Sequence, residues 1–273
     1  MIRVLALHGY AQSAEIFKKK MAVIRKACGK NVEFVFLDAP ILLQPADMPQ
    51  SFSSVQALDT IQAPPEEPEL QPRAWWRANR EKTEYYGVGQ TVEYLRDYLK
   101  DQRFNGVFGF SQGGMAAALA ALLERPESYP TFLIDGKPPH PPLDFCVLVS
   151  GFKPVDKDIG PMLDVPLKTP SLHVLGRNDV IVSVERGKTL VDACENPRLE
   201  EHEGGHFVPS KASWRNFFKE YLLSFDPELG GKPVASPSSA LGTDTPADST
   251  PAMTPRVGTP SKCNLYIMQY IHN

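Results

Sequence analysis

The sequence predicts an α/β domain built on a mostly parallel sheet with helices on both faces. Three observations carry this. Strand-like and helix-like segments alternate at the spacing of βα units. The strand segments, such as "IRVLAL" and "LDFCVLVSGF", are continuously apolar, as buried parallel strands are. The chain has 273 residues, 42% of them hydrophobic, enough for one large core.

The elements follow in order. Residues 2–7 form a buried strand. Residues 13–28 form a helix, with Ser13 as N-cap and Glu15 in the first turn. A second strand, 32–40, ends in Asp-Ala-Pro. Residues 41–74 are proline-rich and weakly periodic, and read as an irregular insertion. "AWWRANREKTEYYG" (74–87) is aromatic and reads as partly helical. In 88–102, Val92, Leu95 and Leu99 share one face of an amphipathic helix. A strand at 104–109 leads through a sharp corner into a helix at 112–125, which Pro126 ends. Strands at 143–152 and 170–179 follow, then a helix at 184–194. A short strand (198–202), a loop (203–209) and a helix (210–224) complete the domain. From about Asp226 the chain is rich in Gly, Pro, Ser, Thr and Ala, and is expected to be disordered. The expected division is therefore a domain over 1–225, with an insertion at 41–87 beside the site, and a tail over 226–273. Five Ser-Pro or Thr-Pro pairs in the tail match proline-directed phosphorylation sites, though a passive linker explains them more simply. The last ten residues are apolar again.

Composition narrows the function classes. The net charge of −3 and the absence of a basic block argue against nucleic-acid binding. The four cysteines lie in no CxxC pair, and a chain this long has no need of a disulfide framework. They read as free thiols in a reducing compartment, the cytoplasm or the nucleus. The apolar run at the start is too short for a signal peptide, and nothing approaches the roughly 18 apolar residues of a membrane span.

The chemistry centres on "GFSQG" (109–113), a G-x-S-x-G corner between strand and helix. This pattern sets a serine on a strained turn at the carboxyl edge of the sheet, above a helix N-terminus. Flanking glycines are required because side chains there would collide with the neighbouring strand and helix. A serine hydroxyl is a weak nucleophile near pH 7 and needs a general base. In this class of fold the order is Ser, acid, His. His206, in the loop "GGHFVP", fits the base. His202 is a weaker candidate, and His272 lies in the tail. Asp179, after the strand "LHVLG", fits the acid that orients the imidazole. Asp156, Asp158 and Asp164 are second choices, and Asp192 reads as a solvated helix residue. The expected oxyanion donors are the N–H groups of Gln112 and of Tyr10, the latter in "HGYAQS" after the first strand. His8 is expected to brace that loop. Trp75, Trp76, Tyr85 and Tyr86 either pack the insertion onto the core or wall an acyl-chain site; Trp75 and Trp76 are the candidate substrate contacts.

Taken together, "LHGYAQS", "LDAP", "RAWW", "GFSQGG", "GRND" and "GGHFVP" make residues 1–225 resemble the FSH-type serine hydrolases. These are largely fungal proteins of the α/β-hydrolase fold, related to the ovarian-cancer-associated hydrolase of animals. The resemblance implies the triad Ser111, Asp179 and His206, and no cofactor or metal. It also implies activity as a carboxylesterase, or as a thioesterase releasing polyketide or other acyl products from a carrier protein in secondary metabolism. The expected partner is therefore a small-molecule ester or thioester, or a carrier-bound acyl group. A non-catalytic binding protein is the competing class. A nucleotide-dependent oxidoreductase is set aside, because "GVGQTV" lacks the third glycine of its fingerprint.

Overall fold

Six parallel strands form the central sheet. In chain order they are β1 (Ile2–Leu7), β2 (Val32–Leu37), β7 (Gly106–Phe110), β8 (Phe145–Val149), β9 (Ser171–Gly176) and β10 (Pro197–His202). Their spatial order is β10-β9-β8-β7-β1-β2, and every pairing is parallel. The computed structural model describes residues 1–44, 47, 67–79, 83–157 and 159–237, all within one compact unit of residues 1–240.

Side-chain alternation explains the layers. Val4 and Ala6 point to one face, where they meet Phe17 and Ile24 of helices α1 (Ala14–Lys20) and α2 (Ala22–Cys28). Trp214, Phe217 and Phe218 of a C-terminal helix, Ala212–Leu223, cover the same face. Leu5 and Leu7 point to the other face, with Val107, Cys146 and Leu148. Helices α3 (Val88–Leu99), α4 (Met115–Glu124) and α5 (Val184–Val191) pack there; the C-terminal helix is then α6. Residues 115–123 of α4 are all buried, so this helix is apolar all round.

From β1 the chain steps outward one way to β2, then returns to β7 on the opposite side of β1. The carboxyl ends of β1 and β7 therefore flank a reversal of strand order, where α/β sheets place their ligand crevices.

Four expectations need correction. The helix over 13–28 is two helices, interrupted at Met21. The apolar stripe Phe17, Met21, Ile24, Cys28 runs through the break, so periodicity alone shows no interruption. The helix expected from 112 starts with a 3-10 turn over Ser111–Gly114 before α4. The described part of 74–87 contains no helix. It forms two short antiparallel ribbons, β3 (Ile41–Leu42) with β4 (Arg73–Ala74) and β5 (Arg77–Ala78) with β6 (Tyr85–Tyr86). The backbone groups of Trp75 and Trp76 are bound to side chains of Gln112 and Thr91, which leaves them unavailable to a helical ladder.

The fourth correction moves the start of the tail. Residues 226–237 are tied to the domain at a few points, although most of their side chains are exposed. Asp226 closes a turn by accepting from the N–H groups of Glu228 and Gly230, Val234 rests against the α6 face, and Ser236 donates to Glu200 at 2.6 Å. Most of the proline-rich stretch, Asp158, Cys263, His272, the Thr-Pro pairs and the last ten residues lie outside the described residues. Cys28, Cys146 and Cys194 are free and buried, and burial raises all three thiols above their ordinary range. Among the described residues, no helix is long and apolar enough to cross a membrane.

Four buried histidines tie the fold to pH: burial lowers His8, His140, His173 and His202, the first and third furthest. His8 and His173 are 0% and 1% exposed, and burial pushes each down to about 4. The unfolded chain takes up these protons near pH 6.5, whereas the folded chain refuses them down to about 4. The unfolded state therefore binds more protons in that window, and stability falls as pH falls, by about 3 kcal/mol per histidine. The urea midpoint is expected to drop steadily between pH 6.5 and 4; a flat midpoint across that window would contradict the assignment.

Candidate active site

Strand β7 delivers Ser111 to the carboxyl edge. Its φ is +55°, the left-handed region that a serine rarely adopts. The chain must reverse there, because the 3-10 turn Ser111–Gly114 lies tight against β7 and the end of β1. A Cβ on Gly109 would overlap the Gly113 carbonyl, and one on Gly113 would overlap the Leu7 carbonyl. Only glycine permits these backbone approaches, as the motif reading anticipates.

The loops after β9 and β10 bring up two further groups. The Arg177 N–H donates to the His202 carbonyl at 2.8 Å, and the Asn178 N–H to the Gly204 carbonyl at 3.1 Å. Gly176 makes the close pairing feasible, since a Cβ there would sit 2.6 Å from the Gly204 and Gly205 carbonyls. The two loops thus form one zipped unit.

At its tip, His206 Nδ1 lies 2.7 Å from Asp179 Oδ2, and His206 Nε2 lies 2.9 Å from Ser111 Oγ. The carboxylate fixes the tautomer: Nδ1–H donates to Asp179, and the Nε2 lone pair faces the hydroxyl. The Asp179 side chain is fully buried, and that of His206 is 15% exposed. Burial alone would push the Asp179 carboxyl up. Hydrogen bonds from Val182 N–H, His206 and Ile181 N–H together outweigh it and hold the carboxyl below its ordinary range. Phe110 packs against His206, with ring centroids 5.0 Å apart.

The alternative groups are engaged elsewhere. His202 Nδ1 accepts from the Gly204 N–H, and its ring lies against Phe207 and Trp214. The Asp156 carboxylate accepts from the Tyr85 N–H, and Asp164 pairs with Lys153. His8 braces its loop as expected: Nε2 accepts from the Ala39 N–H, which leaves Nδ1–H to donate to the Gly9 carbonyl at 2.8 Å.

Tyr10 lies in the turn after β1, and its N–H donates to no acceptor among the described residues. Its phenol reaches away to the Asp47 carbonyl. Gln112 is the second residue of the 3-10 turn Ser111–Gly114, where first-turn N–H groups lack intrahelical partners.

The substrate-wall reading of Trp75 and Trp76 is corrected. They are 0% and 3% exposed, so neither presents a surface to a ligand. Trp76 stacks on Tyr85 at 5.2 Å and meets Phe152 edge-on. What sequence reasoning missed is the side chain of Gln112. Its Oε1 accepts from the Trp75 N–H at 2.9 Å, and its Nε2 donates to the Trp76 carbonyl at 2.7 Å. No local spacing signals a contact between groups so far apart in the chain.

A parallel sheet with helices on both faces, a serine corner after β7 and an acid and a histidine after β9 and β10 define an α/β-hydrolase fold. Solved structures agree on the fold: maize acyl-protein thioesterase 2 superposes with a TM-score of 0.53 over 81% of this chain and 92% of that one, at 16% identity. The chain belongs to the serine hydrolase (FSH1) family, whose model matches residues 1–218. It is 30% identical to zebrafish (Danio rerio) esterase OVCA2 over 235 residues, covering 82% of this chain and 97% of that one. It is also 30% identical over 230 residues to a fission-yeast (Schizosaccharomyces pombe) protein named dihydrofolate reductase, covering 82% of this chain but only 47% of that protein. The chain thus spans about half the length of the fission-yeast relatives it matches.

Gly113→Ala tests the elbow. Its methyl group meets the Leu7 and His8 backbone at the end of β1, so relaxation has to move the sheet edge or the turn that carries residue 113. A loss of about 3 kcal/mol or more is expected in chemical denaturation. An unchanged midpoint would mean that the close approach is not a constraint.

Proposed function

We propose that the protein hydrolyses carboxylic esters or thioesters through an acyl-enzyme on Ser111, with His206 as general base and acid and Asp179 as its orienting partner. The observation that carries this reading is the continuous hydrogen-bonded line from Asp179 Oδ2 through the imidazole to Ser111 Oγ, at 2.7 and 2.9 Å. Membership in the serine hydrolase family supports it.

The chemistry follows from the geometry. The Ser111 hydroxyl proton passes to His206 Nε2 as Oγ attacks the carbonyl carbon. Negative charge gathers on the carbonyl oxygen, where the N–H groups of Tyr10 and Gln112 are proposed to receive it. Asp179 stabilises the imidazolium that forms. His206 then protonates the leaving alcohol or thiol as its bond to the acyl carbon breaks. Water enters, gives its proton to His206 and attacks the acyl-enzyme. The second tetrahedral species collapses to release a carboxylic acid and restore Ser111.

The residues following the acid and the base are apolar and open to solvent: Val180 is 95% exposed, Ile181 45% and Phe207 49%. Apolar surface beside the reacting groups favours substrates with an apolar acyl or alcohol part.

The test is turnover of p-nitrophenyl esters and acyl-thioesters of graded chain length. Wild type is expected to hydrolyse them, with turnover lost in Ser111→Ala, and the ester-to-thioester ratio defines the preferred leaving group. Full activity in Ser111→Ala would refute the mechanism. Asp179→Asn is expected to keep the fold and lower kcat by roughly 10⁴-fold, because the amide no longer holds the productive tautomer; a loss under tenfold would remove Asp179 from the proposed role.

A further inference from the structure

Trp75 is an unusually constrained residue for one placed in an insertion. Its backbone N–H donates to Gln112 Oε1, and its carbonyl accepts from the Thr91 hydroxyl. Its indole Nε1–H donates to the His8 carbonyl at 2.9 Å, and its ring lies 5.4 Å from the His8 ring. Two residues earlier, Arg73 exchanges backbone hydrogen bonds with the loop after β1: Ala11 N–H to the Arg73 carbonyl at 3.0 Å, and Arg73 N–H to the Gln12 carbonyl at 2.9 Å. One residue later, the Trp76 carbonyl takes the other end of the Gln112 amide.

Residues 73–76 therefore touch two separate segments. One is the loop 8–12, which carries the Tyr10 N–H. The other is the elbow, which carries the Gln112 N–H. These segments lie about a hundred residues apart in the chain, at the ends of neighbouring strands β1 and β7. Strand pairing sets their spacing only up to the last paired residues, Leu7 and Gly109. Beyond that edge the backbone turns: Ala11 and Ser111 both have positive φ, +57° and +55°. The bonds to residues 73–76 supply the positioning that the sheet no longer provides.

We infer that the Trp75 indole N–H and the Gln112 side-chain amide are positioning groups for the oxyanion site, holding the Tyr10 and Gln112 backbone N–H donors at a fixed separation through residues 73–76. The inference rests on the serine-hydrolase reading above and deepens it. Neither side chain touches substrate. The indole acts through the His8 backbone and the Gln112 amide through the backbone of Trp75 and Trp76, and the insertion is thereby a structural part of the catalytic edge.

Trp75→Phe is the direct test, because it keeps an aromatic ring in the core and removes the donor to the His8 carbonyl; it also removes ring volume at a fully buried site, so Tm is recorded beside kcat to separate lost packing from lost positioning. Wild type, Ser111→Ala and Trp75→Phe are compared, with active sites counted by fluorophosphonate labelling taken to completion. The expected result is a fall in kcat per labelled site of roughly 10- to 100-fold, on the scale of a weakened oxyanion donor, with KM changed less than threefold. A trifluoromethyl ketone, which forms an oxyanion adduct with the serine, is expected to weaken by the same factor as kcat/KM. Gln112→Glu is the second variant. It keeps an acceptor for the Trp75 N–H but sets an oxygen against the Trp76 carbonyl. Its activity relative to wild type is expected to recover as pH falls, because a protonated carboxyl donates to that carbonyl again. Per-site kcat within twofold of wild type in a folded variant, or a loss confined to the labelled fraction or to Tm, overturns the inference. Undiminished turnover in Ser111→Ala signals the separate failure of the hydrolase reading, and that control is read first.

Discussion

The position of Ser111 depends on a backbone approach that excludes side chains. The 3-10 turn that leads into α4 lies so close to β7 and β1 that a Cβ on Gly109 would overlap the Gly113 carbonyl and one on Gly113 the Leu7 carbonyl. The chain can make that entry only by turning sharply at residue 111, and the serine there takes a φ of +55°. Such a conformation costs on the order of 1–3 kcal/mol and persists only where the surroundings determine it. Here they do. β7 is buried along its whole length and paired on both sides, and α4 is buried on every face. The strain is thus held between two fully embedded elements of the domain. In return the hydroxyl stands clear of the strand, at the point where strand order reverses.

Around that fixed point the other groups are held by pairs of loops. The loops after β9 and β10 bind one another through backbone hydrogen bonds, so Asp179 and His206 arrive as a unit. The loop after β1 and the elbow are joined through residues 73–76. The proposed acid–base and oxyanion groups are thus held by different contacts, both on the carboxyl edge of one sheet. Electrostatics follow the same division. Asp179 is kept ionised in a buried place by three donors, whereas His8, a few residues from the proposed oxyanion donors, is kept neutral by burial and by a donor on Nε2. A neutral His8 adds no second cation beside the imidazolium that would form on His206.

Much of this was legible in the sequence, for identifiable reasons. Parallel strands such as "FCVLV" are apolar on both faces, and the βα alternation shows wherever helices are long. That Ser111, Asp179 and His206 come together is readable because each follows a strand and their order along the chain is constrained. Helix breaks were harder to see: Met21 interrupts a helix without interrupting the apolar stripe, so periodicity carries no mark of it. For Trp75 and Trp76 the sequence leaves core packing and a substrate wall both open, because aromatic residues announce area but not direction; the structure shows packing. Their burial follows from hydrogen bonds to Gln112, His8 and Thr91, contacts that span the chain and leave no local pattern. Composition placed the end of the domain too early, since the Asp226 turn and the anchoring of Val234 and Ser236 rest on a few particular contacts.

The central claim is that Ser111 is a nucleophile because His206 activates it. The most direct measurement is fluorophosphonate labelling followed by peptide mass spectrometry, run as a time course on wild type and on His206→Ala. The expected result is a single adduct on Ser111 in wild type and labelling slowed by several orders of magnitude in the variant. An adduct on another residue, or equal labelling rates in the two proteins, would contradict the account.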